Sequence, residues 1–396
     1  MNILDLIFWI CLAIVFYTYI GYGIVLYIMV KIKEIFNKKE DYKTLTEEHL
    51  PEATLLIAAY NEETVVKEKM ANCLALNYPK EKLKIIWITD GSNDHTNELL
   101  SEYTQVEVLY EPERKGKTAA LNRAIDYVKS PIVIFTDANT MINADAIREI
   151  AHLFTNPQVG CVAGEKRIAV KEKDNAAGGG EGLYWKYEST LKQLDGRLYS
   201  AMGAAGELFA VRTELFEKME NDTLLDDFIL SMRIVAKGYK IAYCKEAYAI
   251  EGSSANIQEE QKRKIRIAAG GLQSIWRLRS LLNVFKYGIV SFQYVSHRVL
   301  RWSITPISLF ALLPLNIALC LGTEGYSLIV YSTILLLQIL FYLTGYWGYI
   351  LSRKSIKHKL LYIPYYFLFM NLNVIRGLFY LQKKKGSGVW EKAQRA

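Results

Sequence analysis

Three stretches without a single charged residue constrain this chain more than any other feature: Leu6–Val30, Ser303–Thr323 and Gly325–Ser352. A bilayer core takes roughly 20 apolar residues in a helix, so each run is long enough to cross one. Charge is not scarce elsewhere. The 48 Lys and Arg and 41 Asp and Glu crowd into the remainder, which gives residues 31–301 the polar mixture of a water-facing domain. A purely soluble chain and a chain made only of spans are both excluded.

The first run stands where a signal peptide would. Met1–Asp5 holds no basic residue, however, and the run exceeds the usual apolar core of about 7–15 residues. Lys31, Lys33, Lys38 and Lys39 follow it in place of a small-residue cleavage site. Residues 3–30 are therefore expected to stay as an uncleaved anchor. Basic residues favour the cytoplasmic side of a span, which places the N-terminus outside and the central domain inside. Residues 303–352 then form two spans joined outside by Glu324 and followed inside by Arg353, Lys354, Lys357 and Lys359. The three spans agree on an integral protein of a plasma or bacterial inner membrane with a cytoplasmic domain.

A fourth apolar stretch, residues 360–382, is broken by Pro364, Asn371, Asn373 and Arg376. If it crossed, Lys383–Lys385 would lie outside, so an interfacial or re-entrant helix is the simpler reading, with a further span left open. The net charge of +7 comes from lysines flanking these runs and favours anionic lipid over nucleic acid as their partner. Five scattered cysteines form no C-x-x-C pair, so neither a disulfide framework nor a zinc site is expected.

From Ala53 onward, short apolar runs alternate with longer amphipathic ones. Ala53–Ala59, Lys84–Asp90, Val106–Tyr110 and Pro131–Asp137 read as strands; Glu62–Leu76, Asp94–Tyr103 and Lys117–Val128 read as helices. Continuous apolar strands separated by helices imply a mostly parallel α/β sheet. Gly178–Gly180 reads as a loop. Ligands of such sheets bind at the carboxyl ends of the strands, where Asn61, Glu62, Asp90, Asp137 and Asn139 collect. A lone aspartate there usually caps a helix; two on separate strands beside an Asn-Glu pair point to a site.

These residues resemble glycosyltransferase family 2. Ala59-Tyr60-Asn61-Glu62-Glu63, Asp90-Gly91-Ser92-Asn93-Asp94, Lys115-Gly116-Lys117-Thr118, Thr136-Asp137-Ala138-Asn139 and Leu225-Asp226-Asp227-Phe228 follow in that family's order, with the Arg263–Arg266 region after them. Within the family the pattern looks nearest to membrane polysaccharide synthases of the poly-N-acetylglucosamine and hyaluronan type. The resemblance implies a GT-A-like, Rossmann-like domain at 51–255 and amphipathic interface helices at 256–302. It implies a uridine-diphosphate sugar bound by Asn61, Glu62, Asp90, Lys117, Arg263 and Arg266. It assigns Mg²⁺ or Mn²⁺ to Asp137 and Asn139, and the base of an inverting transfer to Asp227 beside Asp226.

Two departures matter. Asn139 stands where the family often carries a second acid, which weakens a metal site to one carboxylate and one amide. Arg263-Lys264-Ile265-Arg266-Ile267 replaces the expected Gln-x-x-Arg-Trp, so an aromatic platform for the acceptor is missing; Trp185 or Trp276 are the substitutes in view. Small residues at Gly203–Gly206 stand where they would line an acceptor path. The expected reaction moves a hexose or N-acetylhexosamine to a growing saccharide, with single transfer to a lipid-linked acceptor as the alternative and a silent scaffold as the remote one. His297-Arg298 and Arg301-Trp302 read as a membrane-interface mixture with no further role.

Overall fold

The computed structural model describes residues 3–36, 45–169, 177–252, 256–353 and 359–383. At its centre lies a mixed sheet of eight strands in the order β3-β2-β1-β4-β7-β6-β8-β5. β1 (Ala53–Ala59), β2 (Leu83–Asp90), β3 (Val106–Glu111) and β4 (Ile132–Asp137) are parallel neighbours. These are the four expected strands, each within a residue of its expected ends. β1, β2 and β4 read clearly because both their faces are buried, one through Leu55, Ile57, Trp87 and Ile134, the other through Leu56, Ile86, Val133 and Phe135, whereas β3 lies half-buried at the sheet edge. The chain runs β1-β2-β3 in one direction, then returns to place β4 on the other side of β1. That reversal leaves a crevice between the ends of β1 and β4.

The other half is not parallel throughout. β7 (Phe209–Arg212) runs antiparallel to β4 and to β6 (Val159–Ile168), β6 is parallel to β8 (Lys240–Glu251), and β5 (Thr140–Ile142) closes the edge. Because β7 opposes β4, the turn that enters β7 lies where β4 ends. Gly206 and Glu207 thereby reach the crevice.

Ile3–Phe36 forms one long helix, α1, which includes a π-helical turn at Tyr17–Gly21. The sheet helices follow: α2 (Val66–Leu74), α3 (Thr96–Ser101), α4 (Lys117–Ala124) and α5 (Ala146–Leu153). α2 starts four residues later than expected, because Asn61 adopts a left-handed backbone (φ 54°) and residues 62–65 turn first. α6 spans Ala177–Leu198, so the expected loop at Gly178–Gly180 is instead its first turn. Glycine costs about 1 kcal/mol in a helix. The rest of α6 offsets it by burying Leu191, Leu194 and Leu198 against Tyr22, Leu26 and Val30 of α1.

α7 (Asp226–Ala236) and α8 (Ile257–Arg277) flank the crevice, and a helical segment at 289–302 leads into α9 (Ile304–Gly322), α10 (Gly325–Arg353) and α11 (Lys359–Lys383). Among the described residues three helices are long and apolar enough to cross a membrane: α1, α9 and α10. α11 is wedged between α8 and α10. A Cβ at Gly377 would fall 2.7 Å from that of Ala268, and one at Gly348 2.2 Å from the Leu361 carbonyl. Bare glycines let these helices touch, as in membrane-helix packing.

Candidate active site

A cavity of about 630 Å³ opens at the crevice and runs from the strand ends to α1 and α11. Asp90, ending β2, is buried, and its carboxylate accepts the backbone amides of Lys115 (3.0 Å) and Gly116 (2.7 Å). It does not cap the turn that follows it. Gly116 holds φ 95°, a left-handed conformation glycine tolerates, and this swings the 114–117 loop over the strand ends. The Arg114 guanidinium lies 3.6 Å from the Tyr60 ring centroid at the rim. Glu62 lines the cavity; Asn61 does not, its side-chain amide being paired with Asn93 instead. Lys115 points away, to Glu111 and Glu113.

The centre of the cavity is acidic. Asp137, ending β4, accepts Lys117 Nζ at 2.6 Å, and Asp226 Oδ2 lies 3.8 Å from the same ammonium. Burial alone would lower the Lys117 pKa, but Asp137, Asp226 and Asp227 together hold it above the ordinary lysine value. Asp226 and Asp227 open α7 as its first two residues. Neither is its cap, which is Leu225. Asp227 is pushed up to about 7 by burial, then by Asp226 and Glu207, while Lys117 and the Phe228 amide pull it down. Glycine at 206 keeps room between them: a Cβ there would sit 3.3 Å from Lys117 Nζ and 3.4 Å from Asp227 Oδ2. Arg266 faces this group from α8; burial and Arg263 lower its pKa, with Asp137 and Asp226 opposing.

Asp137 and Asn139 both line the cavity and offer hard oxygen donors. Buried Asp226 Oδ2, which has no hydrogen-bond partner among the described residues, adds a third oxygen nearby. The described residues hold no cluster of three or more His, Cys, Asp or Glu able to cage a metal by themselves. Such a set suits Mg²⁺ or Mn²⁺ completed by phosphate oxygens, since Mg²⁺ is usually held by one or two carboxylates plus substrate.

Arg263 does something the sequence did not indicate. Its guanidinium reaches Glu207 (3.2 Å) and Glu251 (3.3 Å), and Lys166 bonds to both of the same carboxylates. Burial would raise the Glu207 pKa; Lys166 and Arg263 hold it well below the usual range instead. This four-charge knot ties α8 to β6, β8 and the turn that enters β7. Trp185 lines the cavity, with Lys166 and Lys264 over its ring, whereas Trp276 is exposed outside it.

Sequence reasoning also missed the far wall. His297, Arg298 and Arg301 are buried, not spread on an interface. Arg298 and Arg301 each hold one oxygen of Glu188 at 2.7 Å. His297 Nδ1 lies 2.5 Å from Asp195, which also accepts Tyr22 and Gln293. Glu188, Lys192 and Asp195 recur at helical spacing on α6, a signal that sequence alone assigns to a solvated face.

A strand-end crevice of this kind, set on apolar helices, defines a GT-A-like domain in a membrane-type framework. Residues 54–220 match the model of "Glycosyl transferase family 2". The poly-beta-1,6-N-acetyl-D-glucosamine synthase of Staphylococcus aureus (strain COL) is 29% identical over 267 residues, 64% of this chain and 62% of that protein. Its namesake from Staphylococcus epidermidis is 29% identical over 236 residues, 57% and 55% of the two chains. The chain thus spans less than two thirds of the length of the curated relatives it matches. A solved mannosyltransferase, PcManGT from Pyrobaculum calidifontis in complex with GDP-Man and Mn²⁺, shares the fold: TM-score 0.69, 18% identity, covering 97% of this chain and 100% of that one.

Proposed function

We propose that this chain is a membrane-embedded glycosyltransferase that moves a hexose or N-acetylhexosamine from a UDP-sugar to an acceptor hydroxyl, with inversion. The observation that carries the reading is Asp227: a half-buried carboxylate in the cavity, pushed up to about 7, with Asp226, Lys117 and Glu207 all acting on it. A base whose pKa lies near the working pH transfers protons best.

On this reading the nucleoside end of the donor lies by Tyr60, Glu62 and Asp90, with Asn61 and Asn93 bracing the loop beneath it. Lys117 and Arg266 face the diphosphate and balance its charge. Asp137 and Asn139, with Asp226 behind, would hold Mg²⁺ or Mn²⁺, which neutralises charge on the leaving diphosphate. Asp227 takes the proton from the acceptor hydroxyl as its oxygen bonds to the anomeric carbon. The bond from that carbon to the diphosphate oxygen breaks, and the electron pair leaves with UDP. One displacement turns an α-linked donor into a β-linked product. Arg263 acts at a distance, by fixing α8 and hence Arg266.

The polysaccharide synthases that the chain is similar to offer a growing saccharide as one acceptor; a lipid-linked acceptor is the other. A cytoplasmic position for the domain is supported by the basic residues that follow the first and third apolar runs in the sequence. Purified protein in lipid nanodiscs, given a panel of nucleotide sugars with Mg²⁺ or Mn²⁺, tests the core of this. Release of nucleoside diphosphate from one donor, abolished by a chelator, is the expected result, and product sizing then reads polymer against single transfer. No release from any donor, with membrane lipid extract supplied as acceptor, would sink the proposal.

A further inference from the structure

The end of the cavity beyond Asp227 carries charge that transfer itself does not use. Its walls are apolar and aromatic: Tyr19 from the π-helical turn of α1, and Tyr366, Phe367 and Met370 from α11. Lys192, Arg298 and Arg301 line the same space. Lys192 is only 7% exposed, yet among the described residues it has no hydrogen-bond or ion-pair partner. An ammonium so placed is unfavourable unless something negative joins it.

Its neighbours do not supply that partner. Glu188 is shared by Arg298 and Arg301, Asp195 is spent on Tyr22, Gln293 and His297, and Glu207 is held by Lys166 and Arg263. Arg298 commits Nε to the Met202 carbonyl and Nη1 to Glu188, and its guanidinium lies near the Phe228 and Trp302 rings; its Nη2 has no hydrogen-bond partner among the described residues. A second π-helical turn, Val295–Val299, holds Arg298 there, and it abuts the first through Tyr17 and Ser296 (2.8 Å). π-Helical turns are rare and occur frequently at functional sites. Here two of them meet at one end of one cavity.

We propose that this end is a subsite for a phosphate-bearing membrane lipid, the acceptor in the reaction above. Its phosphate sits between Lys192 and Arg298. Its tail passes out along the seam of α1 and α11, which is held by the Tyr19–Asn371 hydrogen bond (2.5 Å) and the Tyr19–Phe367 ring contact. The acceptor hydroxyl then faces Asp227, whose charge already acts on Lys192. An uncharged saccharide alone would leave Lys192 buried and unmatched. The role as acceptor rests on the glycosyl-transfer reading; the binding does not.

The test is binding without donor, by native mass spectrometry of the full chain in neutral detergent. The probes are hexadecyl phosphate, neutral hexadecyl glucoside and inorganic phosphate. The wild type should bind hexadecyl phosphate about tenfold or more tightly than the glucoside, and Lys192→Met and Lys192→Gln should lose about that factor, the size of a charged hydrogen bond. Lys286→Gln, an exposed lysine away from the cavity, should bind as the wild type does. Lys192→Met should also melt no lower than the wild type, because it removes an unmatched buried charge. Equal binding of the glucoside, or undiminished binding by both Lys192 variants, would overturn the proposal. Inorganic phosphate binding as tightly as the alkyl phosphate would overturn the lipid and leave a free-anion site. Because no donor is present, a failure of sugar transfer and a failure of this subsite show up in different measurements.

Discussion

The cavity has two halves built on different principles. At the strand ends, each polar group stands in a short local motif and is positioned by its own strand: Asp90 by β2, Asp137 by β4. At the helix end, the groups come from segments far apart in the chain. Glu188 and Lys192 come from α6, Arg298 and Arg301 from a segment about a hundred residues later, Tyr19 from α1, and only packing assembles them. The strand half is tuned for chemistry and leaves its acids partly unmatched. The helix half is fastened by shared ions, so its charges carry structure as well as recognition. Rate and stability should therefore separate along the cavity, and mutations can show whether they do.

Asp227→Asn should produce the largest change. Removing the base is expected to cut turnover about 10²–10⁴-fold, read as nucleoside diphosphate release, while donor affinity holds. Stability should not fall. An ionised carboxylate raised to about 7 by burial is favoured protonated by the fold, so its contribution to stability is present at low pH and lost as pH rises through about 7. The amide removes that loss. A variant that melted earlier in neutral buffer would break the separation at its clearest point.

Glu188→Gln should do the reverse. It leaves the guanidinium groups of Arg298 and Arg301 buried without their shared carboxylate, and losing one partner of a buried pair costs about 3–5 kcal/mol. Burial would raise the Glu188 pKa, yet Arg298, His297 and Arg301 hold it well below the usual carboxylate range, so the ionised form is the one built in. The expected readout is a clearly lowered unfolding midpoint with donor binding intact in the folded fraction. Unchanged stability would mean the helix half is not fastened in this way.

The same division explains what the sequence conveyed. Asp90, Asp137, Asp226 and Asp227 could be picked out because an acid at the end of an apolar strand, or at a helix start, is placed by local backbone rules. β1, β2 and β4 were legible to within a residue for the same reason: their burial on both faces writes an unbroken apolar run. The turn from a parallel to a mixed sheet at β7 was not, since antiparallel pairing with β4 depends on contacts distant in sequence. Arg263 stands where the resemblance expects glutamine, and its two glutamate partners, at the end of β8 and before β7, belong to no local motif with it. Arg298 and Arg301 looked like lipid-facing residues because charge beside an apolar run usually is; their burial arises from α6 folding over them.

A pH profile gives a smaller and more diagnostic effect. If Asp227 must be ionised to act, kcat/KM should fall tenfold per pH unit below about 7 and level off above it. Lys117 is one of the groups lowering that pKa, so Lys117→Met should move the limb to higher pH as well as weaken donor binding. A limb that stays in place would show that the titrating group is not Asp227, and the base would then have to be sought in the helix half.

Gly206→Ala should have the smallest effect and tests the boundary between the halves. The new methyl would meet Lys117 Nζ at 3.3 Å and Asp227 Oδ2 at 3.4 Å, so each side chain must yield by a few tenths of an ångström. Both are side-chain termini able to move, so the fold should be unaffected. The space they yield into is where an acceptor hydroxyl must come within about 3 Å of the base. A several-fold rise in acceptor KM, with donor KM steady, would place the acceptor between Gly206 and the helix half. If donor KM rose instead, Gly206 would belong to the diphosphate's path, and the boundary between chemistry and recognition would lie on the far side of Asp227.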